Sequence, residues 1–247
     1  MEITENTLRA LVREADEQHR DGMATIADDI SELHHASRTT IGRSRRELVR
    51  TAALAGAVVT IGGAVLPIGG LVPAVAQEND EEKELDDPAI AAFAESVELA
   101  AVEAYKAAAA SGKVTTKAVS DAAGVFLSHH QEHAVAFASA SGGKATGKAN
   151  PKLLKSLADA LSKAGDENAV VKIALDAENA AAATYLFALG ALKSEDALKL
   201  TASILPIESA HAVTLAQVLG LPPTDRLYLP PFETQEAALL PDTFPLG

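Results

Sequence analysis

The sequence predicts an all-α protein: an antiparallel four-helix bundle with one long crossover, preceded by a polar N-terminal segment and an apolar signal or anchor helix. Three observations carry this expectation. Apolar residues make up 48% of the 247, with aromatics only 4% and no Trp, and Ala, the strongest helix former, is the commonest of them. Beyond Asp87, four long segments carry the caps and stops of helices. Two of those segments repeat the other two at a nearly constant offset.

The helices follow in order. The first bundle helix is expected over about 88–111, with Asp87 as its N-cap, Pro88 in the first turn and Gly112 as the stop. The second runs over about 115–141 and stops at Gly142-Gly143. A polar loop and a short helix over about 151–164 come next. The third long helix covers about 166–192 and the fourth about 194–219, with Pro206 expected to kink it. Short links within each pair and a long link between pairs imply two antiparallel hairpins joined by one crossover.

The N-terminal part differs in composition. Residues 1–76 hold eight Arg and no Lys; residues 77–247 hold twelve Lys and only Arg226. Residues 4–36 read as a polar helix, with Leu8, Leu11, Val12, Ile26, Ile30 and Leu33 at loose three- and four-residue spacing. A basic stretch then leads into Thr51–Ala76, 26 residues without a charge. It ends in Ala74-Val75-Ala76, a small-x-small cleavage pattern, and acidic residues follow. Ser44-Arg45-Arg46-Glu47-Leu48-Val49-Arg50 resembles the twin-arginine export motif. That resemblance implies passage through the twin-arginine translocase and a bundle outside the cytoplasm. Uncleaved, residues 51–76 are long enough to anchor the chain in a membrane, with the arginines inside. The expected organisation is a leader over 1–50, an apolar segment over 51–76, an acidic linker over 77–87, the bundle over 88–220 and a proline-rich tail over 221–247.

Charge and composition exclude some functions. A formal net charge of −13 argues against a nucleic-acid partner, which would need a basic footprint. The absence of Cys excludes disulfides, iron–sulfur clusters and thiolate metal sites.

The repeat carries the chemistry. Glu98 precedes Tyr105 by seven residues, and Glu178 precedes Tyr185 by seven. His130-Gln131-Glu132-His133 matches Glu208-Ser209-Ala210-His211. The offsets are 80 residues for the Glu/Tyr pairs and 78 for the histidines. On a helix, residues three or four apart share a face, so a Glu-x-x-His can grip one ion with two side chains.

One Glu from each of two helices, with a Glu-x-x-His from the other two, resembles the di-iron carboxylate pattern of ferritin-like proteins. The Glu-to-Tyr spacing is similar to that of bacterioferritins and rubrerythrin-type proteins. The exported, Ala-rich form resembles desiccation-related ferritin-like families. The resemblance covers residues 88 to about 220 and implies a di-iron or iron/manganese centre. It makes Glu98 and Glu178 terminal carboxylates, Glu208 a bridging carboxylate, and His133 and His211 the imidazole ligands. His130 departs from the pattern: it stands where the second bridging Glu belongs. Glu132 sits about 100° round the helix from that position. His129, four residues before His133, is a further candidate. Tyr105 and Tyr185 are expected to hydrogen-bond to inward carboxylates, and Glu95 and Glu103 to face solvent or the helix edge.

Two functions stay open on these residues. One is metal-dependent oxygen, peroxide or iron-handling chemistry outside the cytoplasm. The other is a metal-free, non-enzymatic envelope or stress-protective protein. Nothing in the sequence marks an interface for a homo-oligomer.

Overall fold

Three of the four long bundle helices begin where a side chain satisfies a free amide of the first turn. In the computed structural model, which describes residues 3–33, 58–61, 64–67, 86–222 and 238–246, helix α1 spans Glu5–Leu33. The bundle follows as α2 (Asp87–Ala110), α3 (Lys117–Ala140), the short α4 (Pro151–Lys163), α5 (Glu167–Ala191) and α6 (Glu195–Val218). Every bundle boundary falls within two residues of its expected place.

The caps are specific. Asp86, not Asp87, caps α2 and accepts from the Ala89 amide at 2.9 Å. Asp166 does the same for α5, accepting from Ala169 N at 2.8 Å. Each such bond contributes about 1 kcal/mol. Asp87 acts across the bundle instead, where its carboxylate accepts the Lys193 and Ser194 amides in the α5–α6 link. Glu167 mirrors it by accepting the Thr115 and Thr116 amides in the α2–α3 link, at 2.6 and 2.7 Å. The first residue of each hairpin thus ties down the turn of the other. Gly112 ends α2 at φ 68°, a conformation that costs little only without a Cβ. Helix α6 continues unbroken through Pro206.

Helices α2 and α3 form one antiparallel pair and α5 and α6 the other. Between them, Ala100, Phe126, Leu175, Tyr185, Ile204 and Ala212 are fully enclosed. Burying a large apolar side chain contributes roughly 1.5–3 kcal/mol, and the many alanines let the helices approach closely. The crossover is fastened to α2. Asn150 N donates to Ser96 O at 2.8 Å, and the Asn150 side chain caps α4 through Leu153 N. The same side chain donates to Phe244 O, so the chain's last described stretch packs on the bundle. Leu239 and Phe244 are buried there, and Leu239 N donates to Thr184 Oγ1 at 2.8 Å. Part of the expected tail is therefore seated; residues 223–237 lie outside the described residues.

Helix α1 lies against α3 and α6. Its contact stripe is Leu8, Ala15, His19 and Ile26, all buried, at spacings a helix brings to one side. Leu8 joins the cluster of Val119, Phe126 and Leu215, and Ile26 that of Phe137, Tyr185 and Ile204. At Gly22 an added Cβ would meet Ser203 of α6 at 3.8 Å, a mark of close helix approach.

The expected apolar helix over residues 51–76 is corrected. Its described part is an antiparallel hairpin, β1 (Val58–Ile61) on β2 (Ala64–Pro67), with Val58 opposite Pro67 and Ile61 opposite Ala64. Val, Thr and Ile favour strands. Among the described residues no helix is long and apolar enough to cross a membrane. The Ser44–Arg50 motif, the Ala74–Ala76 pattern and the acidic residues 77–85 lie outside the described residues.

Candidate metal centre

The bundle brings all six expected residues into one buried cluster. Helix α2 contributes Glu98, α3 His130 and His133, α5 Glu178, and α6 Glu208 and His211. None is more than 1% exposed. Atoms of Glu98, His130, His133 and Glu208 lie within 4.8 Å of one another, as do atoms of His130, Glu178, Glu208 and His211. The two groups share His130 and Glu208. Each adds one terminal carboxylate and one imidazole, as the helix repeat anticipates.

Hydrogen bonds hold the two terminal carboxylates. His130 spans them, with Nδ1 2.7 Å from Glu98 Oε2 and Nε2 3.2 Å from Glu178 Oε1. The tyrosines cross between hairpins: Tyr105 of α2 donates to Glu178 of α5, and Tyr185 of α5 donates to Glu98 of α2. His211 Nδ1 lies 3.4 Å from Glu178 Oε2. The expected role of the tyrosines is what the structure shows, though each serves the opposite hairpin.

Glu208 is different. Its Oε1 lies 2.8 Å from His133 Nδ1 and its Oε2 3.7 Å from His211 Nδ1, and the His133 approach is too poorly aligned for a hydrogen bond. Both oxygens of this fully buried carboxylate lack a hydrogen-bond partner, as do both ring nitrogens of His133. A buried carboxylate without donors is expensive unless a cation faces it. These orphaned atoms are among those a metal would use, so the residues present fit one.

Electrostatics tighten the cluster. Burial drives the Glu98 carboxyl upward, but His133 and His130 outweigh it and hold it at about 2. Burial opposes ionisation of Glu178 as well, and His130 and His211 hold it well below the usual range. For His133 burial favours the neutral ring, yet Glu98 and Glu208 raise it to about 9. Against the same opposition from burial, Glu178 and Glu208 push His130 well up, and Glu178 raises His211. Without metal, the neighbouring carboxylates therefore draw protons onto His130, His133 and His211. A metal must displace those protons.

An outer layer surrounds the ligand cluster. His129 does not join it. Its Nδ1 meets His211 Nε2 at 2.9 Å, and its Nε2 meets Asp16 Oδ1 of α1 at 3.3 Å. His19 of α1 stacks on His129 with ring centroids 3.9 Å apart. Burial, then neighbouring imidazoles, lowers His19 to about 4 and His129 to about 2, so both stay neutral. Glu132 is exposed, as its helical position implies. Glu103 faces solvent as expected, but Glu95 is buried and accepts the Thr146 and Gly147 amides of the crossover. The expectation that Glu95 faces solvent is corrected: the crossover loop folds over its face of α2. A cavity of about 60 Å³, walled by Val97, Ala101, Leu157 and Val170, opens onto Glu98, Tyr105, His130 and Glu178.

Asp16 and His19 are not among the residues the sequence pattern singles out. The available signal is the stripe Leu8, Val12, Ala15, His19 and Ile26, which places one histidine on the inward face of an otherwise polar helix.

A family model for the ferritin-like domain matches residues 86–221, and the chain belongs to that family. No curated protein and no solved structure matches the chain. Helix α1 lies outside the matched range.

Proposed function

We propose that this ferritin-like chain binds iron or manganese in its Glu/His centre and carries oxygen, peroxide or iron-handling chemistry outside the cytoplasm. The observation that supports it is Glu208: a buried carboxylate between two matched Glu/His sets, with neither oxygen hydrogen-bonded. Glu98 and His133 would hold one ion, Glu178 and His211 a second, and Glu208 would lie between them. Such oxygen and imidazole donors suit iron or manganese. Bound divalent iron would supply one-electron chemistry toward dioxygen or peroxide.

The chain's own residues prepare for this. Tyr105 and Tyr185 fix one oxygen each of Glu178 and Glu98, and the other oxygen faces His211 and His130 respectively. His133 and His211 exchange a proton for the ion. The apolar cavity beside the carboxylates admits a small apolar reactant while disfavouring water. Three carboxylates leave two divalent ions one charge short of neutral, because His130 replaces a fourth. That shortfall weakens the second ion relative to a four-carboxylate site.

The twin-arginine motif supports export of a folded precursor through the translocase, with the metal acquired first. Docked α1 bears on this. The arginines hold the N-terminus inside, so an anchor over 51–76 would part α1 from an external bundle. On this reading α1 docks on the bundle before export.

Metal analysis of the full chain purified from its native host tests the reading. Iron or manganese should co-purify with the protein and be lost in Glu208→Ala. A metal content equal to that of Glu208→Ala would overturn it.

One observation favours a second reading, a metal-free envelope or stress-protective protein: the buried cluster already sets three imidazoles against three carboxylates, His130 on Glu98, His133 on Glu208 and His211 on Glu178. Thermal melts separate the two. A ligand at 100 times its Kd stabilises the native state by about 2.7 kcal/mol. A melt indifferent to Fe²⁺ and Mn²⁺ favours the metal-free protein.

A further inference from the structure

We propose that α1 is a working wall of the centre, in which Asp16 acts through His129 to present His211 Nδ1 to a metal. The inference rests on the metal-binding reading above and goes beyond it, since α1 lies outside the family match.

The case is one of donors and acceptors. Arg20 holds Oδ2 of Asp16, which turns Oδ1 toward His129. A carboxylate only accepts, so His129 Nε2 carries the ring proton and donates to Asp16. His129 is buried between His19 and His211 and keeps a single ring proton. Its Nδ1 therefore offers a lone pair, and His211 Nε2 must donate to it across 2.9 Å. With its proton committed to Nε2, His211 is left with Nδ1 as its metal-binding atom. That atom is the one facing Glu178 Oε2 at 3.4 Å and Glu208 Oε2 at 3.7 Å.

Ring orientation is fixed as well. Phe126 stacks on His211 at 4.0 Å, and His19 stacks on His129 at 3.9 Å. His133 of α3 has no equivalent hydrogen-bonded support: neither ring nitrogen has a hydrogen-bond partner, and its ring meets His19 at 5.1 Å, tilted rather than stacked. The His211 half of the centre is the preorganised one, and Asp16 and His19 are positioning residues. On the export reading proposed above, this support acts in the folded precursor.

The test uses the full-length chain and Co²⁺ as the probe, read by equilibrium affinity and by the visible absorption of the bound ion. Supporting partners of metal-bound histidines typically change affinity by about 10- to 100-fold. Asp16→Ala should weaken Co²⁺ binding by about tenfold and alter the absorption bands, with little change in the metal-free melting temperature. Asp16→Glu, which keeps an acceptor, should recover both. Asp16→Ala with wild-type affinity and spectrum overturns the proposal, and so does a loss of affinity that merely follows a drop in metal-free stability with the spectrum unchanged. A wild-type chain that binds no Co²⁺ overturns the metal reading itself, and the proposal with it.

Discussion

The two hairpins are built alike and equipped differently. Asp86 and Asp166, Asp87 and Glu167, Glu98 and Glu178, and Tyr105 and Tyr185 are pairs 80 residues apart that do the same work. They cap, cross-tie, offer a carboxylate, and hold the opposite carboxylate. At the next layer the match fails. His130 stands opposite Glu208, and the His211 side has an outer support that the His133 side lacks. A repeat thus fixes a scaffold with near two-fold symmetry, while single substitutions on it decide the charge and the ligand set.

Removing Glu208 should have the largest effect. Glu208→Ala takes away the one carboxylate common to both sets and should reduce metal affinity by more than about 100-fold. His130→Ala should leave ion binding in place, because each set keeps its Glu, its His and Glu208. Equal losses from the two variants, measured by metal titration, would break the asymmetry between them.

The tyrosines test the symmetric part. A hydrogen bond to a buried charged group contributes about 1.5–3 kcal/mol, so Tyr105→Phe and Tyr185→Phe should each lower unfolding free energy by that amount. Denaturant melts of the two should agree closely. A large difference would show that the hairpins are not equivalent at this layer.

Restoring the missing carboxylate sharpens the comparison. His130→Glu gives four carboxylates for two divalent ions. It should raise affinity for the second ion by about tenfold, since each 1.4 kcal/mol of charge compensation is a factor of ten. It should also lower the metal-free melting temperature, as the ring bridging Glu98 and Glu178 is gone. A second ion bound no more tightly would break the charge argument.

The pH dependence of the metal-free protein separates inner from outer imidazoles. His133 is raised to about 9, and His130 and His211 are raised too. Their stabilisation is complete below pH 6.5 and is lost as pH climbs toward about 9. His19, lowered to about 4, and His129, lowered to about 2, act oppositely. They take up protons only on unfolding, so stability falls as pH drops below 6.5. Glu98, held at about 2, adds to the loss below its ordinary 4.5. Metal-free stability should peak near pH 6.5, and metal should move the peak to higher pH because binding releases protons. Thermal melts across pH 4–9 measure both; a peak at pH 8 or above without metal would contradict the protonated inner rings.

Much of this is legible from local signals. Caps, glycine stops and Ala content set the bundle helices to within two residues. The nearly constant offset finds the six clustered Glu and His residues, because helical spacing is fixed and a repeat must point them the same way. The offset also holds the Asp86/Asp166 and Asp87/Glu167 pairs, although nothing in their chemistry singles them out before the turns they tie are seen. The apolar stretch is misleading where it is described: absence of charge is common to helix and strand, and β-branched residues favour the strand.

By itself the sequence determined the helices, their pairing and the ligand face, since each follows from periodicity and short-range chemistry. Only the tertiary structure decided that the tyrosines cross between hairpins, that Glu95 is buried under the crossover, and that Asp16 and His19 of α1 join the centre. Those contacts link residues 51 to 113 positions apart. No local pattern encodes which distant helix a face will meet; packing of complementary surfaces selects it.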